Sequence, residues 1–202
     1  VATYWQEPVA QLSKEEVSTV ASLQVIAQRL PWQLRGLHPD SGSEFINEAG
    51  ITWCKKRHIE LTRSRPNKKN DNCYVEQRNL VVVRKYVGYE RYDCAEAVDA
   101  MNELYAVLRL YLNFFQPSFK LQTKEKRVKR CDGKQAAKPY KRIYGKPKTP
   151  YKRVLERADI DLAVKEKLTA EYEGLNPKVL HDRIRVLTSK LGRIQREQGY
   201  HF

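Results

Sequence analysis

His38-Pro39-Asp40-Ser41-Gly42-Ser43-Glu44-Phe45-Ile46-Asn47 is the stretch on which the reading of this chain turns. Ahead of it, 33–38 is predicted as a short strand, which Pro39-Asp40-Ser41-Gly42 breaks. Behind it, 43–57 suits a helix and 59–63 a second strand. Asp40 therefore stands just past a strand end, the place where ligands gather in open α/β sheets. Upstream, Val-Ala-Thr-Tyr-Trp opens a predicted strand in 1–10 that stops at Pro8. Ser13 and Glu16 have the spacing of a capping box. Val17, Val20, Ala21, Leu23, Ile26, Ala27 and Leu30 then recur at helical spacing, predicting a helix over 14–30 that Pro31 ends. Downstream, 65–72 is a loop rich in Pro, Asn and Lys, and helices are predicted over 72–86 and 93–115. Asp93 and Glu96 are placed to cap the second, whose apolar line is Ala97, Met101, Leu104, Leu108, Tyr111 and Phe115. This order predicts an α/β fold, a sheet with helices packed on it.

The chain has 202 residues, with 38 Lys+Arg against 24 Asp+Glu and a net charge of +14. That excess favours a polyanionic partner over an acidic-substrate enzyme with a neutral surface. An apolar share of 41% with 10% aromatics excludes wholesale disorder. The longest charge-free run, 17–28, is 12 residues, too short to cross a bilayer. The charge is concentrated: 120–157 holds fifteen basic residues and the acids Glu125, Asp132 and Glu156, a net of +12. With its prolines and glycines and few aliphatics, that stretch reads as an extended, poorly packed arm. Three units follow: a folded core over 1–119, the arm over 120–157 and a helical tail over 158–202.

Cys54, Cys73, Cys94 and Cys131 form no CxxC pair, and the four histidines form no metal-binding set, so a thiolate metal site is set aside. Cys54 and Cys73 read as small apolar residues of a reducing cytoplasm. The acids are more informative. Asp40 and Glu76 are separated by 35 residues, and Glu76 falls near a helix start behind the Lys/Asn loop. A hard divalent ion needs carboxylate oxygens converging from different elements. Two such ions can activate the attacking oxygen and stabilise the leaving oxygen of a phosphodiester. Composition alone does not single out these two acids; the letters around them do.

The segment 38–47 resembles the Asp-Asn-Gly-x-Glu-Phe signature of the retroviral-type integrase and insertion-sequence transposase superfamily. Ile59-Glu60-Leu61-Thr62-Arg63-Ser64-Arg65-Pro66 and Asn70-Asp71-Asn72-Cys73-Tyr74-Val75-Glu76-Gln77-Arg78-Asn79 are similar to the stretch that carries its catalytic glutamate. The interval of 35 is that superfamily's D,D(35)E spacing. Asn113-Phe114-Phe115-Gln116-Pro117 and Thr149-Pro150-Tyr151-Lys152-Arg153 also resemble bacterial members. Ser41 stands where the family usually carries Asn. The resemblance implies a ribonuclease H-like mixed sheet flanked by helices over 1–119. It implies three carboxylates holding Mg²⁺ or Mn²⁺, with Asp40 as the second and Glu76 as the third. The first belongs on an opening strand several dozen residues before Trp5, so the chain is expected to be an N-terminally truncated fragment. Glu7 sits on the wrong strand to replace it.

Simpler readings exist for each feature. An Asp after a strand is most often a helix cap, and a Glu near a helix start is favoured by the dipole alone. Arg63, Arg65, Lys68, Lys69, Arg78, Arg84 and Lys85 would otherwise be a solvated face; beside Glu76 they are expected to contact phosphates. The arm is either a solubilising linker or a DNA clamp that includes Lys141, Arg142, Lys152 and Arg153, with Tyr140, Tyr144 and Tyr151 interleaved for sugar or base packing. In the tail, Asn176-Pro177 reads as a cap with Pro at the first helical position. Leu180, Ile184, Leu187, Leu191 and Ile194 then form a row, expected to pack on the 161–172 helix or on a second copy. The expected function is DNA integration or transposition by metal-dependent phosphoryl transfer, inactive in this fragment, in the cytoplasm on nucleoid DNA. The second expectation is a catalytically dead, DNA-binding remnant. Double-stranded DNA is the expected partner, with a homo-oligomer open and a membrane excluded.

Overall fold

A computed structural model of the chain describes residues 2–39, 47–62, 79–126 and 140–198. Helix α1 (Glu16–Arg29) buries Leu23 and Thr19 and ends at Leu30, immediately before Pro31. Val17, predicted on the apolar stripe, is exposed. The predicted capping box is not formed. The helix begins at Glu16, so Ser13 lies too far upstream to be its cap, and the Ser13 hydroxyl instead meets that of Ser18 at 3.1 Å.

Strand β1 (Gly36–Leu37) pairs in parallel with β2 (Glu60–Leu61), Gly36 beside Glu60 and Leu37 beside Leu61. The crossover contains α2 (Glu48–Lys56), capped by Asn47, whose side-chain oxygen accepts from Gly50 N–H at 2.7 Å. This is the strand–helix–strand unit predicted around Asp40. Its core is Leu23, Trp53, Cys54 and Ile59, with Val20, Leu34 and Leu37 against them. Cys54 is a free thiol at 1% exposure, and burial pushes its pKa up, as expected for a small apolar residue.

The strand predicted in the opening residues is absent. Residues 2–14 carry no regular structure, and Tyr4 has a left-handed φ of 63°, which interrupts an extended run. The segment is instead a strap along the long helix α4 (Ala95–Leu110). Asn113 accepts from Gln6 N–H at 2.9 Å and donates to Gln6 C=O at 2.8 Å. Asn102 repeats the arrangement on Ala10, at 2.9 and 3.1 Å. Between them Arg109 Nε donates to Glu7 Oε2 at 2.7 Å, so the strap runs antiparallel to the helix. Two side-chain amides thus supply the hydrogen bonds that a neighbouring strand would otherwise supply.

A π-helical turn, Asn79–Arg84, leads into the short helix α3 (Lys85–Val87), within the helix predicted over 72–86; residues 72–78 lie outside the described residues. α4 is capped by Cys94, whose sulfur accepts from Ala97 N–H at 3.3 Å, and not by Asp93 as predicted. Its last turns, Tyr111–Phe115, are π-helical. The predicted apolar line is buried or half-buried throughout.

Helix α5 (Pro150–Leu155) and α6 (Leu162–Glu173) precede α7 (Pro177–Glu197), with Asn176 as cap and Pro177 at the first position, as predicted. The α7 row Leu180, Ile184, Leu187, Leu191 and Ile194 packs on Ala97, Ala100, Leu104 and Leu108 of α4. Neither the 161–172 helix nor a second copy is its main partner. α4 provides the larger apolar face, so the row is consumed within the chain.

The basic stretch is also not a bare arm. Strands β3 (Leu121–Lys126) and β4 (Tyr140–Tyr144) form an antiparallel ribbon, and α5 belongs to the core. Tyr151 and Val154 pack with Phe114 and Leu168, with Trp5 and Trp32 at their edge. Sequence composition suggested solvation there because Pro150, Tyr151 and Val154 are diluted by lysines. The described chain is therefore a mixed α/β structure with two two-stranded sheets.

Asn113 is 1% exposed, so truncating it leaves the part-buried N–H and C=O that it holds at Gln6 without their partner. Asn113→Ala is expected to lower unfolding free energy by about 2–4 kcal/mol in urea titration, and half-buried Asn102→Ala by less. A loss for Asn113→Ala below about 0.5 kcal/mol, the level of an ordinary surface change, would refute the clamp.

Candidate nucleic-acid interface

The parallel pair ends on a common edge. Leu37 is followed by His38, whose Nδ1 lies 2.8 Å from Thr62 Oγ1 just past β2. Pro39 is buried behind it. The chain thus leaves β1 towards Asp40 and leaves β2 towards Arg63 from the same end of the sheet. Asp40 and Glu76, and with them Arg63, Arg65, Lys68, Lys69 and Arg78, lie outside the described residues. Among the described residues no group of three or more His, Cys, Asp or Glu is placed to hold a metal ion.

Glu7 has a structural task. Its carboxylate accepts from Arg109 Nε at 2.7 Å and from Trp5 Nε1 at 2.8 Å, and its side chain is 2% exposed. Both of its carboxylate oxygens are engaged, and the segment that carries it is not the strand on which it was expected.

The remaining predicted contacts divide by burial. Arg84 and Lys85 are exposed where the π-helical turn meets α3, the Arg84 guanidinium 4.5 Å from the Tyr89 ring centre and the Lys85 ammonium 5.3 Å from that of Tyr86. Such stacking holds a cation in place while leaving its other face open to an anion. Lys141 and Arg142 are exposed on β4, and Lys152 is exposed on α5.

Arg153 corrects the expectation. It is 7% exposed, donates to the Ser118 hydroxyl at 3.1 Å and to the Ser118 carbonyl, and lies 4.9 Å from the centre of the Tyr4 ring. Burial draws its guanidinium below the ordinary value, with Tyr4 and Glu156 opposing. This cation ties the root of the ribbon to the strap and is not offered to DNA. Tyr151 is corrected likewise: it is buried, donates to Thr169 Oγ1 at 3.0 Å and stacks on Tyr172 at 5.0 Å. Tyr140 and Tyr144 are about half exposed on β4, Tyr144 with Phe119 edge-on at 6.3 Å.

Lys124 and Lys126 are exposed on β3, and sequence reading left them in the undifferentiated basic run. The period-two alternation of Gln122-Thr123-Lys124-Glu125-Lys126 was the signal that could have separated them. Among the described residues no helix is long and apolar enough to cross a membrane.

No family model matches the chain. A search of curated proteins finds the Uncharacterized protein y4rM of Sinorhizobium fredii (strain NBRC 101917 / NGR234), 44% identical over 124 residues. The match takes in 61% of this chain and 35% of that relative's length.

The contrast between neighbours on α5 is testable. Arg153→Gln is expected to cost about 1.5–3 kcal/mol of stability, the range for charged hydrogen bonds, in thermal or urea unfolding. Lys152→Gln should stay within about 0.5 kcal/mol of wild type. Equal stability of the two variants would return Arg153 to the exposed set.

Proposed function

We propose that this chain is part of an integrase-like transposase that acts on double-stranded DNA by metal-dependent phosphoryl transfer. The observation that carries the reading is the parallel unit Gly36–Leu61, whose first strand ends three residues before Asp40 and whose second leads into the Glu76 segment. A carboxylate at that position, with a second one 35 residues on in family context, supports a ribonuclease H-like arrangement. In this reading Asp40 and Glu76 hold Mg²⁺ or Mn²⁺, the group that activates the attacking oxygen and neutralises the leaving one. The chain's own part is to fix the DNA: Arg84, Lys85, Lys141, Arg142 and Lys152 provide exposed positive charge that positions the phosphates.

A second reading, a DNA-binding remnant without catalysis, is favoured by one observation. Its exposed cations, Arg84, Lys85, Lys141, Arg142 and Lys152, need no metal to hold phosphates.

The test is cleavage and strand transfer on element-end duplexes with Mg²⁺ or Mn²⁺, run with the chain joined to the segment its reading frame encodes upstream. Asp40→Asn and Glu76→Gln are each expected to reduce both products by more than about 100-fold, since a lost ligand exceeds the 10–100-fold cost of a lost supporting residue. DNA affinity should hold or rise, because a negative charge near phosphate is removed. Wild-type joining by Glu76→Gln would overturn the metal-site assignment. Binding without cleavage by the unsubstituted protein would favour the remnant.

A further inference from the structure

The ribbon β3–β4 sorts its charges by face. Its register sets Lys124 opposite Arg142, Lys126 opposite Tyr140, Glu125 opposite Lys141 and Thr123 opposite Ile143. Side chains alternate along a strand, so Lys124, Lys126, Tyr140, Arg142 and Tyr144 share one face. The other face carries Thr123, Glu125, Lys141 and Ile143. One side is cations and phenols without an acid; the other balances its lysine with a glutamate directly across. Apart from the half-buried Leu121 and Ile143, every residue of both strands is exposed.

Two cations placed directly across a ladder destabilise it unless an anion lies between or above them. Glu125 cannot fill that role, because the pleat turns it to the opposite side. A solubilising ribbon would intersperse its signs on both faces, as the Glu125–Lys141 pair does. A two-stranded ribbon has strands about 4.8 Å apart, and the major groove of B-DNA, about 12 Å wide, admits it. The phenol hydroxyls of Tyr140 and Tyr144 add donors suited to phosphate and sugar oxygens. At the ribbon's root, Arg153 on Ser118 and the Ser118–Lys148 backbone pair at 3.1 and 3.2 Å fix how the face is presented.

We propose that the Lys124–Lys126–Arg142 face, flanked by Tyr140 and Tyr144, is the surface that seats duplex DNA, with the Glu125–Lys141 face turned away. This rests on the DNA-binding reading above and changes it in one respect: Lys141 leaves the contact set, and Lys124 and Lys126 enter it.

The experiment measures affinity of the 202-residue chain for a short duplex, and for one of its strands, across a salt series. Lys124→Gln/Lys126→Gln/Arg142→Gln is compared with Lys55→Gln/Lys167→Gln/Lys178→Gln, which removes the same charge from exposed positions off the face. Each phosphate contact contributes about 0.9 to the slope of log affinity on log salt, so the face variant should flatten it by about 2.7 and the other by less than about 1. Equal flattening overturns the face assignment while leaving DNA binding standing. Absence of duplex binding by the wild-type chain overturns the broader reading as well, and tighter binding of the single strand overturns the duplex as occupant. Lysine acetylation of the unsubstituted chain gives a measurement independent of folding in the variants. Duplex should protect Lys124 and Lys126 and leave Lys141 reactive; equal protection of all three would refute the proposal.

Discussion

A peptide segment laid against a helix has no ladder to join, because the helix has already used its own backbone groups. Asn113 resolves this for Gln6 by presenting a donor and an acceptor from one planar amide, and Asn102 does so for Ala10. A series of further contacts depends on that attachment. With the strap fixed, Glu7 meets Arg109, Trp5 enters the ring cluster beside Phe114 and Trp32, and Tyr4 comes under Arg153. Lys120 reaches the Ala2 carbonyl at 2.9 Å from the same side. One helix thereby holds the strap through its polar positions and α7 through its apolar ones.

Charge density proves a poor guide to exposure in this chain. Between 120 and 157 the basic residues are uniform in composition yet divide in role. Arg153 is an internal tie, while Arg142 and Lys124 stand in solvent facing each other across a ladder. The difference is geometric: α5 turns Pro150, Tyr151, Arg153 and Val154 inward together and leaves Lys152 outside. A guanidinium can take that inward place because its planar fork satisfies Ser118 twice and its face lies on Tyr4.

What the sequence made legible follows from how each signal is written. Helical periodicity marked α1, α4 and α7 because their buried and half-buried positions recur at helical spacing, and Pro31 and Pro177 marked boundaries through their missing donors. The parallel unit was legible because turn residues separate two short apolar runs around a helix. The opening strand failed because β-prone letters report only that a backbone is extended-friendly, not who completes its hydrogen bonds. Cys94 as a cap, and Asn102 and Asn113 as clamps, are tertiary choices that local spacing does not encode. For the site, the interval between Asp40 and Glu76 and the strand end before Asp40 were readable from letters. The separation of ribbon faces needed the strand register, which the sequence alone leaves free.

The division of the apolar interior has a consequence for how the molecule opens. Leu23, Trp53, Cys54 and Ile59 form a cluster distinct from the one between α4 and α7. Described links from the first unit to the remainder include Gln11 with Thr19 and Ser22, Ser13 with Ser18, and the Trp5–Trp32 edge contact. A few hydroxyl and amide hydrogen bonds and one ring edge break at lower cost than a shared core, so the two clusters are expected to open as separate cooperative units. Amide protons of α1 and α2 will exchange through sub-global openings that leave the α4–α7 pair closed, and the strand ends leading to Asp40 then belong to the more readily opened half of the molecule.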